Sequence, residues 1–224
     1  MELERDRSCG LCRDLDSPTV LLETEHFTTL PGLGQFSMEG GYLLTITKEH
    51  RYTSSAGFSQ ELFDELEQVM NEAAGIVKQV YDVDPLFFEH GSTCHTKAGQ
   101  CVTHMHMNLV PYDLDLSRFL RPDRIRTLDH LSELQDIEPP YLYVRTPEGK
   151  HLATPVGDLS IPSQYLRSAI GVELGHPERS FWDWRVRRAI DEGCDDEEAI
   201  ENTVKALKDP FHEMSLRHLQ GMED

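Results

Sequence analysis

No stretch of the 224-residue chain approaches the ~18 consecutive apolar residues that a membrane-spanning helix requires. The opening MELERDRSCG is charged and has no apolar core, so it does not read as a secretory leader. The expectation is a soluble, cytoplasmic protein. Basic residues are scarce: 21 Lys and Arg stand against 40 Asp and Glu, a formal charge of -19. A surface so acidic repels nucleic acid, whose binding depends on phosphate neutralisation. It leaves room for a small phosphorylated ligand, which needs only a local set of donors. Cysteines are few and odd in number, at positions 9, 12, 94, 101 and 194, which argues against a disulfide framework. There is no internal repeat and no low-complexity tract. What remains is 38% hydrophobic and 27% charged, enough for one ordinary core with a substantial appendage.

The organisation is clearest in the first half. PTVLLETEHFTTL at 18–30 reads as one or two strands, PGLGQFSMEGG at 31–41 as a loop, and YLLTIT at 42–47 as a buried strand. Phe58 to Tyr81 carries apolar residues at three- and four-residue steps (Leu62, Leu66, Val69, Ala73, Ile76, Val77, Val80), with Ser59 placed to cap a helix. Leu86 to Gly91 reads as a strand, and STCHTKAGQC after it as a polar loop. From Val102 to Val110 the chain alternates. Val102, His104, His106, Asn108 and Val110 share one face of a strand, and Thr103, Met105, Met107 and Leu109 the other. Beyond 112 the pattern weakens. Residues 113–135 are polar, Tyr141–Val144 and Leu152–Pro155 suggest a hairpin, and Pro162–Val172 and Asp195–Lys208 look helical.

The alternating strand is where chemistry concentrates. His104 and His106 project to the same side, about 7 Å apart along the chain. A row of His, His and Asn is costly to bury unless each group finds a partner or a ligand. The Gly99-Gln100 pair just upstream can bring backbone N–H groups close to an anion.

The segment AGQCVTHMHMNLVP resembles the signature of the histidine-triad superfamily, a His-x-His-x-His run after a Gly-Gln turn. LFFEHGS and YLLTITKEH resemble the family's preceding segments, and the likeness runs over roughly residues 9–112. The resemblance implies an α+β fold: an antiparallel sheet with a crossing helix in a nucleotide-binding domain at 1–112. A C-terminal α/β extension at 113–224 would pack on it. It implies that His106 attacks the α-phosphorus of a nucleotide and forms a nucleotidyl-histidine. Backbone N–H groups around Gly99 and Gln100 would offset charge on the phosphoryl oxygens. A backbone carbonyl would fix the tautomer of His106. Asn108 stands where the family has its third histidine. An amide cannot donate a proton as an imidazolium does, but it can hydrogen-bond a phosphoryl oxygen. Glu89 stands where the hydrolase branch resembles Asn, and Lys97 lies in the loop that would meet the ligand. Arg167 and Arg185 are the expected contacts to the distal phosphate or leaving group.

Cys9-x-x-Cys12 has a metal-knuckle spacing but supplies only two ligands. The zinc-bearing branch of the same superfamily resembles Cys-x-x-Cys, then a His after the third strand, then the first motif His. The matching residues are Cys9, Cys12, His50 and His104, implying a structural zinc ion. The leading expectation is therefore a nucleotidyl hydrolase or transferase acting on a nucleoside polyphosphate, a dinucleoside polyphosphate or a nucleotide conjugate, as a homodimer. Two rivals are a nucleotide-binding or sensing protein with little turnover, and a HIT-like enzyme reused for different chemistry.

Overall fold

The computed structural model describes residues 5–92, 102–157, 159–179, 182–183, 188–189 and 196–219. Among them, eight strands form one antiparallel sheet: β1 (Leu22–Glu23), β2 (Phe27–Pro31), β3 (Leu43–Thr47), β4 (Leu86–Gly91), β5 (His106–Val110), β6 (Arg126–Leu128), β7 (Tyr141–Arg145) and β8 (His151–Pro155). Their spatial order is β1-β2-β3-β5-β4-β7-β8-β6. The histidine strand β5 thus sits inside the sheet, paired with β3 and β4. β4 also pairs with β7, so the strands beyond residue 112 continue the same sheet. Four α-helices are described: α1 (Gly10–Asp14), α2 (Gln60–Tyr81), α3 (Tyr165–Glu173) and α4 (Asp196–Leu219). The architecture is α+β, with α2 laid across the antiparallel sheet and a C-terminal helical extension.

The pleat divides the core in two. Leu43, Phe87, Met107, Leu109, Tyr141 and Tyr143 face α2 and meet its stripe of Leu62, Phe63, Leu66, Val69, Met70, Ala73 and Val77. Each such aliphatic or aromatic side chain contributes about 1.5–3 kcal/mol by leaving water. Leu44, Ile46, Leu86, Phe88, Val110, Leu142 and Val144 face the other way, against α1, Leu166 and Ile170 of α3, and the segment around Leu116 and Leu120. Ser59 caps α2 by accepting from the Leu62 N–H, and Asp82 ends it in the left-handed region at φ 55°.

Four elements differ from the sequence reading. The histidine strand is regular only from His106, and residues 102–105 lead into it irregularly. There, the Met105 N–H donates to Tyr52 O at 2.8 Å, so a loop rather than a strand holds it. Residues 126–128, in a polar stretch without a strand pattern, pair with β8 at the sheet edge. The third helix begins at Tyr165 rather than Pro162. The last helix continues through Pro210 to Leu219, with Leu207 and Phe211 buried in the α2-side core. Tertiary burial on both sides of the proline outweighs its lost N–H. No helix among the described residues is long and apolar enough to cross a membrane.

Candidate functional site

Cys9 and Cys12 bracket the start of α1, His50 follows β3, and His104 precedes β5. Their ligand atoms all lie within 4.8 Å of one another. Cys9 Sγ and Cys12 Sγ each lie 3.6 Å from His104 Nδ1, and Cys12 Sγ lies 3.4 Å from His50 Nδ1. A tetrahedral ion with sulfur bonds of about 2.3 Å and nitrogen bonds of about 2.05 Å sets sulfur and nitrogen about 3.6 Å apart. The observed spacings fit a four-coordinate ion. The imidazoles are also oriented for it. His104 Nε2 donates to Thr47 O at 2.8 Å, which leaves the lone pair on Nδ1, facing the sulfurs. His50 Nε2 lies 3.7 Å from an Asp6 carboxylate oxygen. Both cysteines are free, and burial pushes the Cys12 thiol up to about 11. Without a cation such a thiol stays protonated, and a bound ion reverses that preference.

His104 serves the next histidine through its backbone. Its carbonyl accepts from His106 Nδ1 at 2.7 Å. The Nδ1–H tautomer is thereby fixed, and Nε2 carries the lone pair. Burial lowers the His106 pKa, against a smaller opposing effect of that same hydrogen bond, so the ring is neutral near pH 7. His106 and Asn108 line a pocket with apolar walls that include Leu11, Leu30, Leu44, Phe88 and Leu166. This arrangement, a neutral imidazole held by one nitrogen at the edge of an apolar recess, suits nucleophilic attack on a ligand seated there.

Asn108 is on this face, but its amide is engaged by the protein. Nδ2 donates to Phe88 O at 3.0 Å and to His106 O at 3.4 Å, and Oδ1 accepts from Tyr42 Oη at 2.7 Å. The residue positions the strand and the Tyr42 ring, and both of its N–H groups already have acceptors. Tyr42 reaches it because Gly32 leaves space: a Cβ there would lie 2.3 Å from the Tyr42 ring.

Glu89 is not part of this front, which corrects the sequence expectation. It is 1% exposed and points to the opposite face of the sheet. Its carboxylate accepts from Ser55 N at 2.9 Å, from Tyr141 Oη at 2.7 Å and from Ser55 Oγ. A Cβ on Gly91 would stand 2.2 Å from the Tyr141 ring, so glycine is what lets that tyrosine lie across β4 to reach the carboxylate. The physical reason for the correction is strand phase. Phe88 and His90 share the pocket face, and Glu89 between them must face away. The residue of β4 that enters the pocket is His90.

Arg167 does line the pocket, from the first turn of α3. It is 6% exposed, stacks over Phe36 at 4.4 Å, and donates through Nη2 to Arg179 O at 3.0 Å and to Gly34 O. It therefore binds the 32–41 loop as well as facing the recess. Lys97, Gly99, Gln100 and Arg185 lie outside the described residues.

Several contributors carried no sequence signal. Leu11 and Asp14 come to the pocket on α1, and Gln164 and Tyr165 come with α3. The 32–41 loop, whose Leu33 is part of the wall, is braced from the far end of the chain. The carboxylate of Asp196 accepts from Gly34 N at 2.9 Å and Gln35 N at 2.6 Å. Asn202 donates to Met38 O, and Thr203 Oγ1 accepts from Gly41 N, both at 2.9 Å.

The sequence matches no protein-family model and no curated protein. Among solved structures it is similar to a HIT family protein from Bacillus anthracis, at 23% identity and a TM-score of 0.39, over 47% of this chain and 73% of that one. It is similar to a Zn-bound histidine triad family protein from Mycobacterium smegmatis, at 22% identity and a TM-score of 0.36, over 58% of this chain and 88% of that one. It is also similar to a hypothetical histidine triad nucleotide-binding protein from Sulfolobus tokodaii, at 14% identity and a TM-score of 0.47, over 93% of this chain and 95% of that one.

Proposed function

We propose that this chain is a histidine-triad-type nucleotidyl hydrolase or transferase. The observation that carries the reading is the hydrogen bond from His106 Nδ1 to the His104 carbonyl, in a ring that burial keeps neutral and that faces an apolar recess. In the reaction, His106 Nε2 forms a bond to the α-phosphorus while the bond from phosphorus to the leaving oxygen or nitrogen breaks. Water or a second phosphate then attacks phosphorus, the P–N bond breaks, and neutral His106 returns. Splitting one displacement into two lowers the barrier of each. The apolar walls hold the base and exclude water from the intermediate until the acceptor enters. Among the described residues, Arg167 is the cation that lines the recess and could meet the distal phosphate or leaving group.

Cys9, Cys12, His50 and His104 would hold a structural zinc ion, which ties the N-terminal residues to the histidine strand. We read residues 1–112 as the nucleotide-binding unit and 113–224 as an extension packed on it. The same reading includes a cytoplasmic homodimer, and light scattering that gives the mass of one chain would refute the dimer.

The test is nucleotide turnover by chromatography on dinucleoside polyphosphates, nucleotide sugars and nucleoside phosphoramidates, with and without inorganic phosphate, beside His106→Ala. Nucleoside mono- or diphosphate released by the native protein only supports the reading, and dependence on phosphate separates phosphorolysis from hydrolysis. One observation favours a second reading, a nucleotide sensor: the Asn108 amide is engaged by Phe88, His106 and Tyr42, so the third motif position offers no proton donor. Bound nucleotide without product from any substrate would select it.

A further inference from the structure

β4 and β5 pair antiparallel with Phe88 opposite Asn108. Carried two residues on, the same register sets His90 opposite His106. Cross-strand neighbours on one face hold their Cβ atoms about 4.5–5.5 Å apart. Both rings line the recess. His90 Nε2 is closed off from solvent and has no hydrogen-bond partner among the described residues. A buried ring nitrogen left in that state is unfavourable, and few native groups are. The described residues offer it nothing, and a group seated in the pocket can supply the partner.

We propose that His90 hydrogen-bonds the phosphoryl oxygens of the nucleotide at His106, doing from the neighbouring strand what Asn108 cannot do from the motif. This rests on the nucleotide reading of the pocket. Asn108 lacks a free N–H, since both are held by backbone carbonyls. Glu89, the adjacent residue, faces α2 and would in any case repel an anion. Burial, together with the nearby His106, lowers the His90 pKa to about 4, so the ring is neutral and can donate from Nε2 when that nitrogen carries its single proton. A neutral donor suits this recess. It adds no charge to bury when the pocket is empty, and it pairs with an anionic oxygen when the pocket is full. The residue touches the phosphoryl group, not the base, so it acts on phosphorylated ligands only.

The test compares binding of the ribonucleoside 5′-monophosphates with binding of the matching nucleosides, by calorimetry, in the native protein, His90→Leu and His90→Gln. We expect His90→Leu to weaken the monophosphate by roughly tenfold or more, the effect of losing one hydrogen bond to a charged group. Nucleoside binding should be unchanged, and His90→Gln, which keeps an N–H donor, should recover part of the loss. Equal losses for nucleoside and monophosphate would overturn the proposal, because a wall residue acts on both. So would an unchanged monophosphate affinity. If His90→Leu does not fold, the ring ¹⁵N signals of His90 in native protein decide: they should move with the monophosphate and not with the nucleoside, and signals that stay put overturn the assignment. Failure of the native protein to bind any monophosphate refutes the nucleotide reading itself, and this inference with it.

Discussion

Replacing Glu89 by Leu and by Gln should give opposite results, because the carboxylate holds the interior together and does not meet ligand. Three protons point at it, from Ser55 N, Ser55 Oγ and Tyr141 Oη. In Glu89→Leu the two hydroxyls, 2.9 Å apart, can pair with each other. The Ser55 N–H and one hydroxyl proton remain without acceptors. Each stranded buried donor costs about 1–3 kcal/mol, so the loss is roughly 2–6 kcal/mol. For a chain of this size that corresponds to a fall in melting temperature of roughly 4–24 °C. Glu89→Gln keeps an acceptor for Ser55 N, and its amide protons can be accepted by the two hydroxyl oxygens. Its melting temperature should stay close to native near neutral pH, with turnover intact. The pH dependence adds a second check. Burial raises the Glu89 carboxyl above its ordinary 4.5, and the bonds from Ser55 and Tyr141 reverse only part of that. A carboxyl raised on folding binds its proton more tightly in the folded state, so its contribution is complete below about 4.5 and is lost as pH rises toward the folded value. Gln does not titrate, so the stability difference between Glu89→Gln and native protein should move in favour of Gln as pH rises above 4.5. Thermal melts by circular dichroism across pH measure all of this. A Glu89→Leu protein that melts within 2 °C of native, or a folded Glu89→Gln protein without turnover, would refute the reasoning.

Chelation should lower the melting temperature of the native protein; at a free ion concentration a thousand times the dissociation constant the loss is about 4 kcal/mol. Zinc should restore it and magnesium should not, while Cys12→Ser should be indifferent to chelator; a native melt that chelator leaves unmoved would rule out the metal. Burial, with Arg145 and His130 nearby, lowers the His151 pKa from 6.5 to about 4. The unfolded chain therefore binds this proton first, and stability should fall as pH drops from about 6.5 to about 4. His151→Gln should flatten that part of a urea-denaturation profile, and an unchanged slope would show that other groups set it.

The parts legible in the sequence are those with a strict local period. The α2 stripe and the alternation from Met105 to Val110 each point one way, and the structure follows them. The two cysteines and two histidines stand far apart in sequence, and the resemblance supplied their order. Strand phase on β4 was not legible. Leu86, Phe87 and Phe88 are apolar on both faces of a central strand, so nothing local says whether Glu89 or His90 turns to the pocket. The register with β5 decides it, and register is a tertiary property. The pocket walls from α1 and α3 were hidden for a related reason. Leu11, Tyr165 and Leu166 look like any core residue until the sheet face they cover is known. Arg167 was read as a ligand contact, and its hold on Gly34 could not be seen from a sequence separation of 133 residues.

The brace on the 32–41 loop bears on the order in which the molecule is assembled. Asp196 and Thr203 hold Gly34, Gln35 and Gly41 across separations of 161 and 162 residues. At a synthesis rate of roughly 5–20 residues per second, about ten to thirty seconds pass between the emergence of the loop and that of its clamp. The four residues able to hold a metal, by contrast, are all present once His104 has been made. The nascent chain can therefore fix its cysteines and histidines early, while the far wall of the recess waits for α4. The recess is therefore walled in full only once the last helix has been made and Asp196 and Thr203 can hold the 32–41 loop.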